Sequence, residues 1–381
     1  MVVAILAAAM AVAILPLIAV GVLAPMVIRD LDIPRAAIGL LVSFASGVSA
    51  VLSPFAGRAV DRVGSRPALL AVLALGFASL TGMALARSYV ALALAVGVAG
   101  LCHSGANPAT NRLISGRVAP GRRGWLTGLK QSGEAVAIVL GGSLLPGVAL
   151  LLGWRTAVAL LAAVALAALL VAAARLDPGP HVALTRPRAG GRLRSSIYWL
   201  GAYNLAMGAA GGSLTTYLPL YAHESVGETV TAAGGVMVVA GSVAAVCRIL
   251  WSRWAEARSG PATALLILAV LAVVAGLILL RAEPSARPAL WFGAALWGAS
   301  GLSFGSVGML AAMVESDSAT TGRASGVTVF GFGIGLTATP PVFGWLVDST
   351  GTYHAGLLLV TACFGLAAVV MLVGRRAFRA P

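Results

Sequence analysis

One lysine in this chain, Lys130, stands four residues before Glu134 in a stretch with no other charge. On a helix such a pair shares one face. It either neutralises itself as an internal ion pair, or it offers an ammonium to an anion and a carboxyl to a proton. Gln131 adds an amide beside it. His103 and Asn107 have the same four-residue spacing, which suits either a hydrogen-bonded packing histidine or a proton relay. Arg248 lies in another apolar stretch, eight residues before Glu256. A guanidinium donates two parallel hydrogen bonds to a carboxylate, but a long arginine also reaches headgroups or a nearby glutamate. Asn204 and Tyr217 bring an amide and a hydroxyl to a further apolar run, as cavity lining or as interhelical hydrogen bonds.

These groups draw notice because of where they sit. The chain has 381 residues, 59% hydrophobic and only 10% charged, against roughly 25% charged in a globular domain. Lipid must be the solvent for most of it. Breakers and charges divide the sequence into twelve apolar runs: 3–25, 36–56, 67–86, 88–110, 125–150, 155–174, 196–219, 229–251, 262–280, 287–313, 324–347 and 354–374. The first 28 residues carry no charge, which reads as a first span rather than a leader with a basic start. A buried ionisable group inside such spans is a functional candidate by default. At about 1.5 Å per residue, Arg248 lies roughly 12 Å from the polar end of its span, Lys130 roughly 8 Å, Glu134 roughly 15 Å and His103 roughly 13 Å.

The net charge of +14 invites a nucleic-acid reading, but the arginines cluster in short loops between apolar runs. Arg58, Arg62 and Arg66, the Arg112–Arg123 group, the Arg175–Arg194 group, Arg253, Arg258 and the C-terminal arginines fall on one side. Arg29, Arg35, Arg87, Arg155, Arg281 and Arg287 fall on the other. The positive-inside rule puts both termini in the cytoplasm. The near-total use of arginine over lysine reads as a GC-rich bacterial genome, hence a bacterial inner membrane. Residues 176–195, rich in Pro, Gly and Arg, read as a linker between six-span halves 1–175 and 196–381. The halves echo each other weakly: Gly57-Arg-Ala-Val-Asp61 matches Ser252-Arg-Trp-Ala-Glu256, and Gly97-Val-Ala-Gly100 matches Gly298-Ala-Ser-Gly301. Two parallel repeats predict a shared site near the midplane.

The loop after the second run reads Gly57-Arg-Ala-Val-Asp61-Arg62-Val-Gly64-Ser-Arg66. It resembles the signature loop of the major facilitator superfamily. Gly57 is expected to allow close helix approach, Asp61 to cap or pair with a helix end, and Gly64 to make a tight turn. Glu256 stands where the second half repeats the acidic position. The stretches from Gly128 to Glu134, Gly153-Trp154-Arg155 and Pro341 to Asp348 are also similar to that superfamily. The resemblance implies an all-α membrane protein of twelve helices in two pseudo-symmetric halves, with a loop that gates access. Arg248, four residues before Ser252, resembles the substrate arginine of the oxalate–formate and monocarboxylate carriers, although their second cation lies in other spans.

The expectation is a monomeric secondary transporter working by alternating access, moving a small organic anion, with proton coupling through Glu134 or His103. Arg248, Lys130, Gln131, Asn107, Asn204 and Tyr217 are the substrate candidates. An exporter of hydrophobic drugs or metabolites is the alternative. Cys102, Cys247 and Cys363 have no metal-site spacing, and no phosphate-binding Gly-Lys-Ser/Thr loop exists, so no cofactor, metal or ATPase is expected. No catalytic constellation points to an enzyme.

Overall fold

The structure, a computed structural model, describes residues 2–117, 123–176, 193–316 and 321–378. The chain divides into two compact units, Met1–Ile33 with Leu40–Thr185, and Pro34–Gly39 with Arg186–Pro381. Most of the expected linker, residues 177–192, lies outside the described residues. The described part is helical, as an apolar chain must be when lipid offers its backbone no hydrogen bonds.

The first unit runs through α1 (Val2–Val22), α2 (Ala24–Leu31), most of α3 (Arg35–Val63), α4 (Ser65–Leu85), α5 (Tyr89–Arg117), α6 (Arg123–Leu152) and α7 (Trp154–Arg175). Gly64 and Gly153 adopt φ values of 92° and 84° and separate α3 from α4 and α6 from α7, a left-handed turn that suits glycine. Here α4 packs on α5 and α7, and α1 packs on α6 and α5. Gly133 of α6 lies so close to Ala7 that a Cβ would be driven into the α1 backbone, the small-residue packing of lipid-embedded helices. Arg155 closes one end of this unit. It pairs with Asp30 at 2.8 Å, donates to Ala86 O at 2.9 Å and lies 4.4 Å from the Trp154 ring centre. Its hydrogen bond holds the Asp30 carboxyl below the usual carboxylate range.

The second unit holds α8 (Ser195–Glu224), α9 (Val230–Trp254) with a π-turn at Ala255–Ser259, α10 (Gly260–Leu279), α11 (Arg287–Ala299), α12 (Phe304–Val314), α13 (Thr321–Thr350) and α14 (His354–Gly374). Among the described residues, eleven segments are long and apolar enough to cross a membrane. Helix α8, with 30 residues, is not among them, because it carries Asn204, Tyr198, Tyr203, Tyr217, Tyr221 and two threonines. It packs along α13, where Gly331 meets the Gly201 backbone, Gly208 the Phe332 backbone, Gly335 the backbone of Leu205 and Ala209, and Gly212 the Leu336 side chain.

The tenth apolar run is not the continuous helix that the sequence predicts. It breaks at Ser300–Ser303, between α11 and α12. Ser300 Oγ donates to Leu296 O at 2.6 Å and Ser303 Oγ to Gly298 O at 2.8 Å. Serine hydroxyls compete with the backbone for carbonyls, and Gly298 and Gly301 lower the cost of leaving the helix.

The first turn of α3 is part of the second unit for a local reason. Asp348 of α13 accepts hydrogen bonds from the backbone N–H groups of Arg35 (3.2 Å) and Ala36 (2.8 Å), a carboxylate cap on a helix N-terminus. Arg35 Nε donates to Glu224 Oε2 at 2.7 Å, and Tyr353 donates to the same oxygen at 2.7 Å. Burial pushes the Tyr353 hydroxyl's pKa up, which keeps it protonated and donating. A Cβ on Gly39 or Gly344 would collide with this packing.

Candidate functional site

In the first unit, α5 and α6 bring together a polar cluster around Lys130. The lysine is 1% exposed. Its Nζ donates to Asn107 Oδ1 at 3.0 Å, Thr110 Oγ1 at 2.9 Å and Asn111 Oδ1 at 2.6 Å. The Thr110 hydroxyl hydrogen is committed to Ala106 O at 2.7 Å, so that oxygen can only accept from Nζ. Three acceptors need three N–H bonds, and only the ammonium form has three. In the ammonium form all three donors of Lys130 are engaged by its own chain. A substrate oxygen reaches it only by displacing one of them.

Glu134, one turn further along α6, lies near enough for its charge to act on both Lys130 and His103. His103 stands one turn from Asn107 on α5, and its Nδ1 is buried with no hydrogen-bond partner among the described residues. His103 and Asn107 on α5 and Lys130 and Glu134 on α6 thus lie in one neighbourhood. Thr110 and Asn111 were not foreseen. Their signal was the spacing Asn107, Thr110, Asn111, which puts three polar side chains on one helical face.

In the second unit, the break between α11 and α12 positions Arg248. Its Nε donates to Leu302 O at 3.1 Å, a carbonyl freed by the break. Ser306 Oγ donates back to Arg248 O at 3.1 Å, and Trp251 Nε1 donates to Ala299 O at 2.9 Å. The guanidinium is fixed along its Nε edge, half-buried. Asn204, on α8, has its amide within 4 Å of the position a Cβ on Gly308 of α12 would take, while Nδ2 donates to Leu200 O at 2.7 Å.

Tyr217 lies on α8 of the second unit. It is wholly buried, stacked on Phe343 at 4.6 Å between ring centres, and donates to Arg35 O at 2.8 Å. Its hydroxyl is engaged at the capped end of α3. A Cβ at Gly57 would meet nothing within 4 Å among the described residues, so the expected close helix approach is not formed there. Gly64 makes the turn as expected. Arg66 Nη2 donates to Ala173 O at 3.0 Å, tying the loop to α7. Arg62 and Glu256 are exposed, and the Asp61 side chain lies outside the described residues.

Glu315 was passed over because it falls just beyond the tenth apolar run. It is 2% exposed, accepts from Ser196 Oγ at 2.8 Å and pairs with Arg194 at 3.6 Å. It anchors the N-terminus of α8 with a buried carboxylate.

The profile of the Major Facilitator Superfamily matches residues 1–330. Among solved structures, a bacterial homologue of the human lysosomal transporter Spinster, inward-facing and occupied, superposes with a TM-score of 0.82 at 14% identity, covering 100% of this chain and 98% of that one. The same kind of homologue in an inward-facing, unoccupied form gives 0.78 at 16% identity, covering 99% and 97%. No curated protein sequence matches.

Proposed function

Since the chain belongs to the Major Facilitator Superfamily of membrane transporters, we propose that it moves a small organic anion, a carboxylate, by proton-coupled alternating access. The observation that carries this reading is Arg248, half-buried in an apolar helix and oriented by the Leu302 carbonyl at the helix break. An ionisable group in a membrane span is a functional candidate by default, and a guanidinium can donate two parallel hydrogen bonds to a carboxylate. Asn204, on the neighbouring α8, adds amide contacts. In the first unit the anion-contact candidates are Lys130, Asn107 and Gln131. Glu134 or His103 carries the proton; the unpartnered His103 Nδ1 supports that role. The Gly57–Arg66 loop, with Asp61, Arg62, Gly64 and the second-half Glu256, acts as the gate. The basic loops support a bacterial inner membrane location with both termini cytoplasmic, and the working form is a monomer.

The test is thermal unfolding of detergent-purified protein against small carboxylates and lipophilic cations at two pH values. A ligand of the folded state raises the melting temperature by mass action. Stabilisation by carboxylates, stronger at the lower pH, is the expected result. Stabilisation by lipophilic compounds alone replaces this reading with an exporter of hydrophobic compounds.

A further inference from the structure

Three neutral oxygens converge on the Lys130 ammonium at 3.0, 2.9 and 2.6 Å, and all three belong to α5. A lysine kept only to reach water or headgroups extends its stem outward. This one points inward and is 1% exposed, so the protein itself must replace the water around its charge. Amide and hydroxyl oxygens are hard ligands, the kind that hold unpolarisable cations. The Thr110 hydroxyl is locked with its lone pair towards Nζ by the bond to Ala106 O. The Glu134 carboxyl stands one turn further along α6. An ammonium ion is close in size to potassium, and a cradle that fits one is dimensioned for the other.

We propose that Asn107, Thr110 and Asn111 form a monovalent alkali-cation site that this chain fills with its own Lys130 ammonium. The tethered charge takes the place of a bound ion, which makes the protein indifferent to alkali cations. Removing the lysine head group opens the site to potassium, with admitted water completing the coordination. The inference stands apart from the carboxylate reading, because cation binding is measured without any substrate.

The experiment is thermal unfolding of the full-length purified chain in potassium, sodium, lithium, ammonium or choline chloride at one ionic strength. Wild-type protein is expected to melt at the same temperature in all five. Lys130→Ala is expected to melt several degrees higher in potassium than in choline, saturably with concentration. Adding Asn111→Leu to Lys130→Ala is expected to abolish that shift. Equal melting of Lys130→Ala in every salt overturns the proposal, and so does stabilisation by ammonium alone. Should Lys130→Ala not fold in choline, potassium is expected to rescue it. Lys130→Met, which keeps the apolar stem, carries the same comparison, and failure of both variants in every alkali salt also overturns the site.

Discussion

Proteoliposomes carrying Arg248→Ala are expected to transport small carboxylates about ten- to a hundredfold more slowly than wild type. The estimate is the loss of a charge-assisted hydrogen bond, about 1.5–3 kcal/mol, at about 1.4 kcal/mol per tenfold. Arg248→Lys keeps the charge but not the planar fork, so it should recover only part of the rate. Arg248 also holds the Leu302 carbonyl, and the loss must be separated from damage to the helix break. Ser306→Ala removes a hydrogen bond to the same segment while leaving the guanidinium in place. If Ser306→Ala and Arg248→Ala slow transport equally, the arginine is a brace for the break and the substrate contact is wrong.

The second large effect belongs to the α8–α13 interface. A Cβ at Gly335 would be driven into the Leu205 carbonyl and would sit 2.6 Å from Ala209 N. These are backbone atoms of a buried helix and cannot move aside cheaply. Overpacking of this kind costs about 1–3 kcal/mol and sometimes more. Gly335→Ala should therefore lower the melting temperature, and Gly335→Leu should leave little folded protein in the membrane fraction. Gly326, on the same helix, has nothing within 4 Å of its Cβ position. Gly326→Ala should hold or slightly raise the melting temperature, since alanine favours the helix by up to about 1 kcal/mol. Equal sensitivity at both positions would show that helix propensity, rather than contact, governs α13.

The helical class and most spans were legible because lipid imposes a single requirement, long apolar runs, that is written directly in composition. The break at Ser300–Ser303 was not legible from hydropathy. Its serines and glycines are small enough to pass inside an apolar run, and only their hydrogen bonds to Leu296 and Gly298 reveal the interruption. Within the candidate site, four-residue spacing found Asn107 with His103, and Lys130 with Glu134. It could not show that Lys130 spends its three donors on α5, because which neighbours an ammonium meets depends on how α5 and α6 pack. At Tyr217 a hydroxyl in an apolar run signals a partner, and one partner is the backbone carbonyl of Arg35, which the sequence cannot name because it depends on how the helices pack. Glu315 escaped because a charge just past an apolar run looks like a loop residue, whereas its carboxylate is drawn inward to Ser196.

The carboxylate of Asp348 at the start of α3 has a consequence for isotope labelling. The first N–H groups of a helix have no acceptor within it and ordinarily trade their protons with solvent quickly. At Arg35 and Ala36 both are taken by one aspartate. In deuterated buffer these two amides should therefore label late, at a place where fraying would make them label first. Asp348→Asn weakens the acceptor and should speed their uptake while the centre of α3 keeps its pace. If those amides label quickly in the unaltered protein, the cap is not formed in solution.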